Sequence, residues 1–94
     1  MLYVFYCLDK PDHGAVRLDN RAAHLAYLDR HGDRIAFAGP LLSDDGGGMV
    51  GSLLVVDCAD RAAAEAFRDG DPYRAAGLFG SVTVTPVRKV LPKT

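Results

Sequence analysis

No stretch of this chain is long and apolar enough to cross a bilayer. The longest apolar runs are strand-sized, well short of the ~20 residues a spanning helix needs. A basic cluster is missing too. Eleven Lys and Arg stand against 12 Asp and Glu, the formal net charge is −1, and the cations are scattered. Nucleic acid and anionic membrane are therefore not expected as partners, since both are held by concentrated positive charge. Cysteine is scarce. Cys7 and Cys58 have no metal-like spacing and read as reduced, buried thiols. The N-terminus, Met1 to Leu8, lacks the basic lead-in of a secretory signal and soon turns polar, so a cytoplasmic protein is expected.

What is present is an ordinary globular composition. Over 94 residues, 49% are hydrophobic and 24% charged. That suits one domain, residues 1–94, with a modest core.

Leu2 to Leu8 reads as a first strand, rich in aromatic and β-branched residues. Both of its faces are apolar, which implies that both are covered. A helix is predicted from Val16 to His31, with Gly32 as its C-terminal cap. Leu18, Ala22, Leu25 and Leu28 form its apolar stripe, and His24 lies on the border of that stripe. Arg34 to Leu42 is the second strand, where Gly39-Pro40 signals an edge position or a bulge. Residues 43–48 make a hairpin tip, and Gly51 to Asp57 is a third strand, again apolar on both faces. Asp60 N-caps a second helix from Arg61 to about Arg68, anchored by Phe67. An Asp71-Pro72-Tyr73 turn leads to a last strand, Ser81 to Val90.

The order strand, helix, strand, strand, helix, strand predicts an α+β fold. Two split βαβ units give a ferredoxin-like βαββαβ arrangement with a four-stranded antiparallel sheet and both helices on one face. The second sheet face then has no helix, and its apolar residues imply a homodimer packing sheet to sheet. Cys7 falls opposite the start of the third strand and Cys58 past its end, too far apart for a disulfide.

This topology brings the end of strand one, the start of helix one, the hairpin tip and the loop before strand four to one rim. His24 and Asp71 thereby become neighbours. For each there is a plain structural reading: a satisfied helix histidine, and an aspartate that caps a helix begun by Pro72. As a pair they do more. A carboxylate on one imidazole nitrogen fixes the tautomer and frees the other nitrogen for general acid or base work. No serine or cysteine is placed to complete a nucleophilic triad. Ser43 and Ser52 lie near the rim, where a turn and a strand start explain them equally well. His24 and His31 are two helical turns apart, about 10.5 Å, too far to share a metal. His13 reads as a solvated loop residue. Gly46-Gly47-Gly48 lacks the Gly-Lys-Ser/Thr ending of a phosphate loop. Tyr3, Phe5 and Tyr6 have the look of an RNA-stacking sheet, but the third strand offers only aliphatics and the chain is not basic.

Four segments together resemble the YCII-related (YciI-like) domain family. They are Arg21-x-x-His24-Leu25-x-Tyr27-Leu28, Ala38-Gly39-Pro40-Leu41, Gly51-Ser52-Leu53, and Asp71-Pro72-Tyr73 with Ala76-Gly77-Leu78-Phe79. They span nearly the whole chain. The resemblance implies a dimeric α+β barrel of ferredoxin-like subunits, with His24 and Asp71 in the positions of the family's His and Asp. One branch of the family is similar to a dehydrochlorinase acting on a chlorinated hydroxyhydroquinone.

The expectation is a small enzyme without cofactor or metal. Its His24–Asp71 pair would do lyase or isomerase chemistry on a small, phenolic molecule, with Tyr3, Tyr27, Ser52, Tyr73 and Phe79 lining the cleft. The alternative is a ligand-binding or regulatory dimer without turnover.

Overall fold

The computed structural model describes residues 1–93. Its elements are β1 (Leu2–Asp9), α1 (Gly14–Arg30), β2 (Ile35–Leu42), β3 (Met49–Asp57), α2 (Arg61–Gly70), a one-turn α3 (Pro72–Ala75) and β4 (Phe79–Val87). The strands form one antiparallel sheet in the order β2-β3-β1-β4, the ferredoxin-like arrangement expected. β2 is an edge strand, which accommodates Pro40 and a register shift at each end of its pairing with β3.

Period two sorts the sheet into two faces. Tyr3, Phe5 and Cys7 of β1, Leu54 and Val56 of β3 and Val84 of β4 are buried beneath the helices, together with Tyr27, Ala64 and Phe67. α2 is built as its sequence suggests. Asp60 accepts a hydrogen bond from the Ala63 backbone N–H at 2.8 Å, and Ala64 and Phe67 point into the core. On the opposite face Tyr6, Leu8, Phe37 and Val87 remain exposed.

Several boundaries move. α1 begins at Gly14 and ends at Arg30. His31 takes the cap position and Gly32 starts a 3-10 turn, so Gly32 is not the C-terminal cap expected. β4 starts two residues earlier than predicted and stops at Val87, and Pro72 to Ala75 add a helical turn. The larger correction concerns α1. Its buried residues are Arg17, His24 and Tyr27, whereas Leu18 is 73% exposed and Leu25 is also exposed. The predicted leucine stripe is not the inner face. Only Leu28 of that stripe packs on the core.

Cys7 pairs across the sheet with Ser52, while Cys58 follows Asp57, the partner of Leu2. Six residues of strand separate Ser52 from Cys58, about 20 Å. Both thiols are free and buried.

Candidate active site

The α2–α3 junction is built on Asp71. It ends α2 and caps α3, with Pro72 at the first helical position, where a missing N–H costs nothing. Its Oδ1 accepts a hydrogen bond from the Tyr73 backbone N–H at 2.9 Å. The same oxygen meets His24 Nδ1 at 2.8 Å. Both side chains are buried, His24 at 6% exposure and Asp71 at 4%. Capping and imidazole binding thus share one oxygen. An ionised carboxylate only accepts hydrogen bonds, so against it Nδ1 holds the hydrogen when the ring is neutral. Nε2 is then the acceptor. It has no partner among the described residues, and it is not sealed from solvent.

Tyr73 fixes the imidazole plane. The two rings stack at 4.0 Å with 16° between them. Tyr73 also touches the second polar unit of the site, since the Arg17 guanidinium carbon lies 4.7 Å from its ring centroid. Burial pushes the Tyr73 hydroxyl above its ordinary pKa, with Arg17 and Arg21 opposing, so it stays a phenol.

Arg17 makes a two-pronged contact with Asp9, at 2.7 Å from Nε and 2.9 Å from Nη2. Nη2 also donates to Ser52 Oγ at 3.0 Å. Burial works against the Arg17 charge, but the hydrogen bond and charge of Asp9 outweigh it and hold the guanidinium above its ordinary pKa. Ser52 accepts from Arg17, so its own O–H remains available to donate.

These groups meet at a cleft of about 130 Å³ between α1, the β2–β3 pair and α3. That is close to the ~150 Å³ of a cavity that takes one benzene ring. Arg17, His24, Ser52 and Tyr73 supply its polar wall; Leu25, Leu28, Ala38, Pro40 and Leu54 supply apolar surface; Arg21, Gly39 and Met49 complete the lining. An apolar chamber with a few convergent polar groups is the usual form of a small-molecule site.

Of the residues singled out from sequence, His24, Ser52, Asp71 and Tyr73 come together here. Tyr3, Tyr27 and Phe79 do not line this cleft. Tyr3 is in the core. Tyr27 donates from its hydroxyl to the Phe67 carbonyl at 3.0 Å, passing close over Gly70. Phe79 packs edge-on against Tyr73 at 6.0 Å. Ser43 is occupied in the hairpin, where it bonds Asp45 and the Gly48 N–H. His31 lies edge-on to Tyr27 and Phe67. His13 bonds its own loop at the Pro11 carbonyl. Sequence reasoning missed Asp9 and Arg17. The signal was there: Arg17 precedes His24 by seven residues, two helical turns on the same face. Cys7 is no substitute nucleophile. Burial, then the Asp71 charge, push its thiol up to about 12. Among the described residues, no three His, Cys, Asp or Glu side chains converge as metal ligands.

Several known proteins are similar to this chain in sequence and fold. The chain is 43% identical over 97 residues to Protein YciI of Escherichia coli O6:H1, covering 96% of this chain and 99% of that protein. It is 33% identical, with the same coverage, to an uncharacterized protein of Haemophilus influenzae. Among solved structures it matches 5-chloro-2-hydroxyhydroquinone dehydrochlorinase (TftG) of Burkholderia phenoliruptrix, in complex with 2,5-dihydroxybenzoquinone. The TM-score is 0.90 and the identity 36%, with 94% of each chain covered. The YCII-related domain profile matches residues 1–88. The chain belongs to the YCII-related domain family.

Proposed function

We propose that the protein is a small-molecule enzyme in which His24 Nε2 accepts and returns a proton, Asp71 orients the ring, and Ser52 with Arg17 holds the negative charge that develops on a substrate oxygen. The observation that carries this reading is the division of the cleft. A tautomer-fixed imidazole with an unspent nitrogen shares one wall with an unspent hydroxyl donor backed by a guanidinium. A proton acceptor and an oxyanion site within one chamber are what enolisation or elimination next to a hydroxyl or carbonyl needs. Asp9 keeps Arg17 from rotating away.

The likeness to the dehydrochlorinase suggests a substrate class: hydroxylated or halogenated six-membered rings. In such an elimination Nε2 takes a proton and the halide leaves with its bonding electron pair. The net loss is HX, so the step is redox-neutral and calls for no cofactor. The cleft volume matches one ring.

The test is turnover. Purified protein is incubated with 5-chloro-2-hydroxyhydroquinone and related hydroxyquinones, and halide release and ring spectra are followed. The reading expects turnover that drops by about 10²–10⁴-fold in His24→Ala. Tight, saturable binding with no turnover of any ring compound would instead support a ligand-binding module.

The exposed apolar sheet face supports a second proposal: two copies pack sheet to sheet, covering Tyr6, Leu8, Phe37 and Val87.

A further inference from the structure

A second, open groove of about 440 Å³ continues outward from the cleft, and Arg17, Arg21 and Met49 border both. Its outer walls are apolar, formed by exposed Leu18 and Met49. Two guanidinium groups border both spaces, and one of them is paired. Arg17 is held by Asp9, while Asp71 is taken up by His24 Nδ1 and the Tyr73 N–H. Arg21 makes no ion pair or hydrogen bond with a described residue. Its helix neighbours one turn away are Arg17, Leu18, His24 and Leu25, so its own face offers no carboxylate.

We infer that Arg21 is a specificity-determining residue: it selects rings that carry one carboxylate substituent, placed so that the ring occupies the inner cleft and the carboxylate reaches the outer groove. This deepens the reading of the cleft as a single-ring site and rests on it. The charge count favours a monoanion. Arg17 has spent its fork on Asp9 and Ser52, so the one guanidinium left is matched charge for charge by one carboxylate.

The experiment uses two probes that differ only in that charge, 4-hydroxybenzoate and 4-hydroxybenzamide. Each is titrated into the full chain and into Arg21→Gln, and Kd is read from the NMR shifts of backbone amides and of the His24 ring. The wild type should bind the acid about three- to fivefold more tightly than the amide, as expected for one exposed ion pair. The preference should shrink with added salt and vanish in Arg21→Gln. Equal Kd values in the wild type, or a preference that survives in Arg21→Gln, would overturn the inference and leave the proton-transfer reading untouched. If neither probe shifts His24 at any concentration, the single-ring reading fails and this inference falls with it.

Discussion

Asp71 serves two elements and the imidazole at once. Its backbone ends α2, while its Oδ1 caps α3 and meets His24 Nδ1. A cap and a buried imidazole would each be left unpaired if the carboxylate were lost. Asp71→Asn is the milder change, since Asn caps about as well as Asp. Cys7 is informative for a different reason. Its thiol is pushed up to about 12, by burial first and then by the Asp71 charge. Below the ordinary thiol pKa of 9.0 the folded and unfolded chains both hold that proton. Between there and about 12 only the folded chain holds it, so ionisation favours the unfolded state and stability falls as pH rises. The loss reaches about 4 kcal/mol at the top of the window. Cys58, Tyr27 and Tyr73 shift in the same direction, each chiefly through burial. Urea unfolding followed from pH 8 upward should therefore show a steep alkaline loss, shallower in Cys7→Ala. An unchanged slope in Cys7→Ala would show that the thiol ionises freely in the native state.

At the scale of elements, α1 lends Arg17 and His24 to the cleft because its inner face is polar. Arg17, His24 and Tyr27 each find a buried partner, in Asp9, Asp71 and the Phe67 carbonyl. Hydrogen bonding offsets the cost of burying them, and the leucines are left for the cleft rim and solvent. Here hydrophobic periodicity misled: Leu18, Ala22, Leu25 and Leu28 fit a helical stripe as well as any core face does. Nothing within the helix sequence says that Arg17 will meet Asp9, which comes from a strand end eight residues earlier. The strands were legible because runs of aromatic and β-branched residues and the Gly and Pro breaks are local signals, and strand order then followed from the connections. The His24–Asp71 meeting was legible for the same reason, being a consequence of topology. Tyr27→Phe should cost roughly 1 kcal/mol, the net worth of its hydrogen bond to Phe67, whereas Leu18→Gln should be close to neutral. Chemical denaturation of the two variants checks this, and a larger loss in Leu18→Gln would mean that the leucine stripe is the inner face in solution.

At the scale of the whole molecule, the two sheet faces are unequal. One is sealed by the helices; the other leaves Phe37 at 55% exposure beside Tyr6, Leu8 and Val87. A contiguous apolar face on a small chain is unusual for a monomer. Sedimentation at micromolar concentration should give twice the monomer mass. Phe37→Lys places a charge on that face without touching the cleft, and it should shift the equilibrium to monomer. A wild-type monomer that stays dilute and folded would remove the dimer from the account.

The most direct test of the central claim, that His24 is a proton acceptor held by Asp71 in a cleft that takes a ring, is nitrogen NMR of imidazole-labelled protein with and without 2,5-dihydroxybenzoquinone. The account predicts that neutral His24 carries its hydrogen on Nδ1, that Nε2 alone shifts strongly when the ligand binds, and that Asp71→Ala loses the single tautomer, whereas Asp71→Asn, whose Oδ1 can still cap α3 and accept from Nδ1, keeps it. A hydrogen on Nε2 in the free protein, or a saturating ligand that leaves Nε2 unmoved, would contradict it.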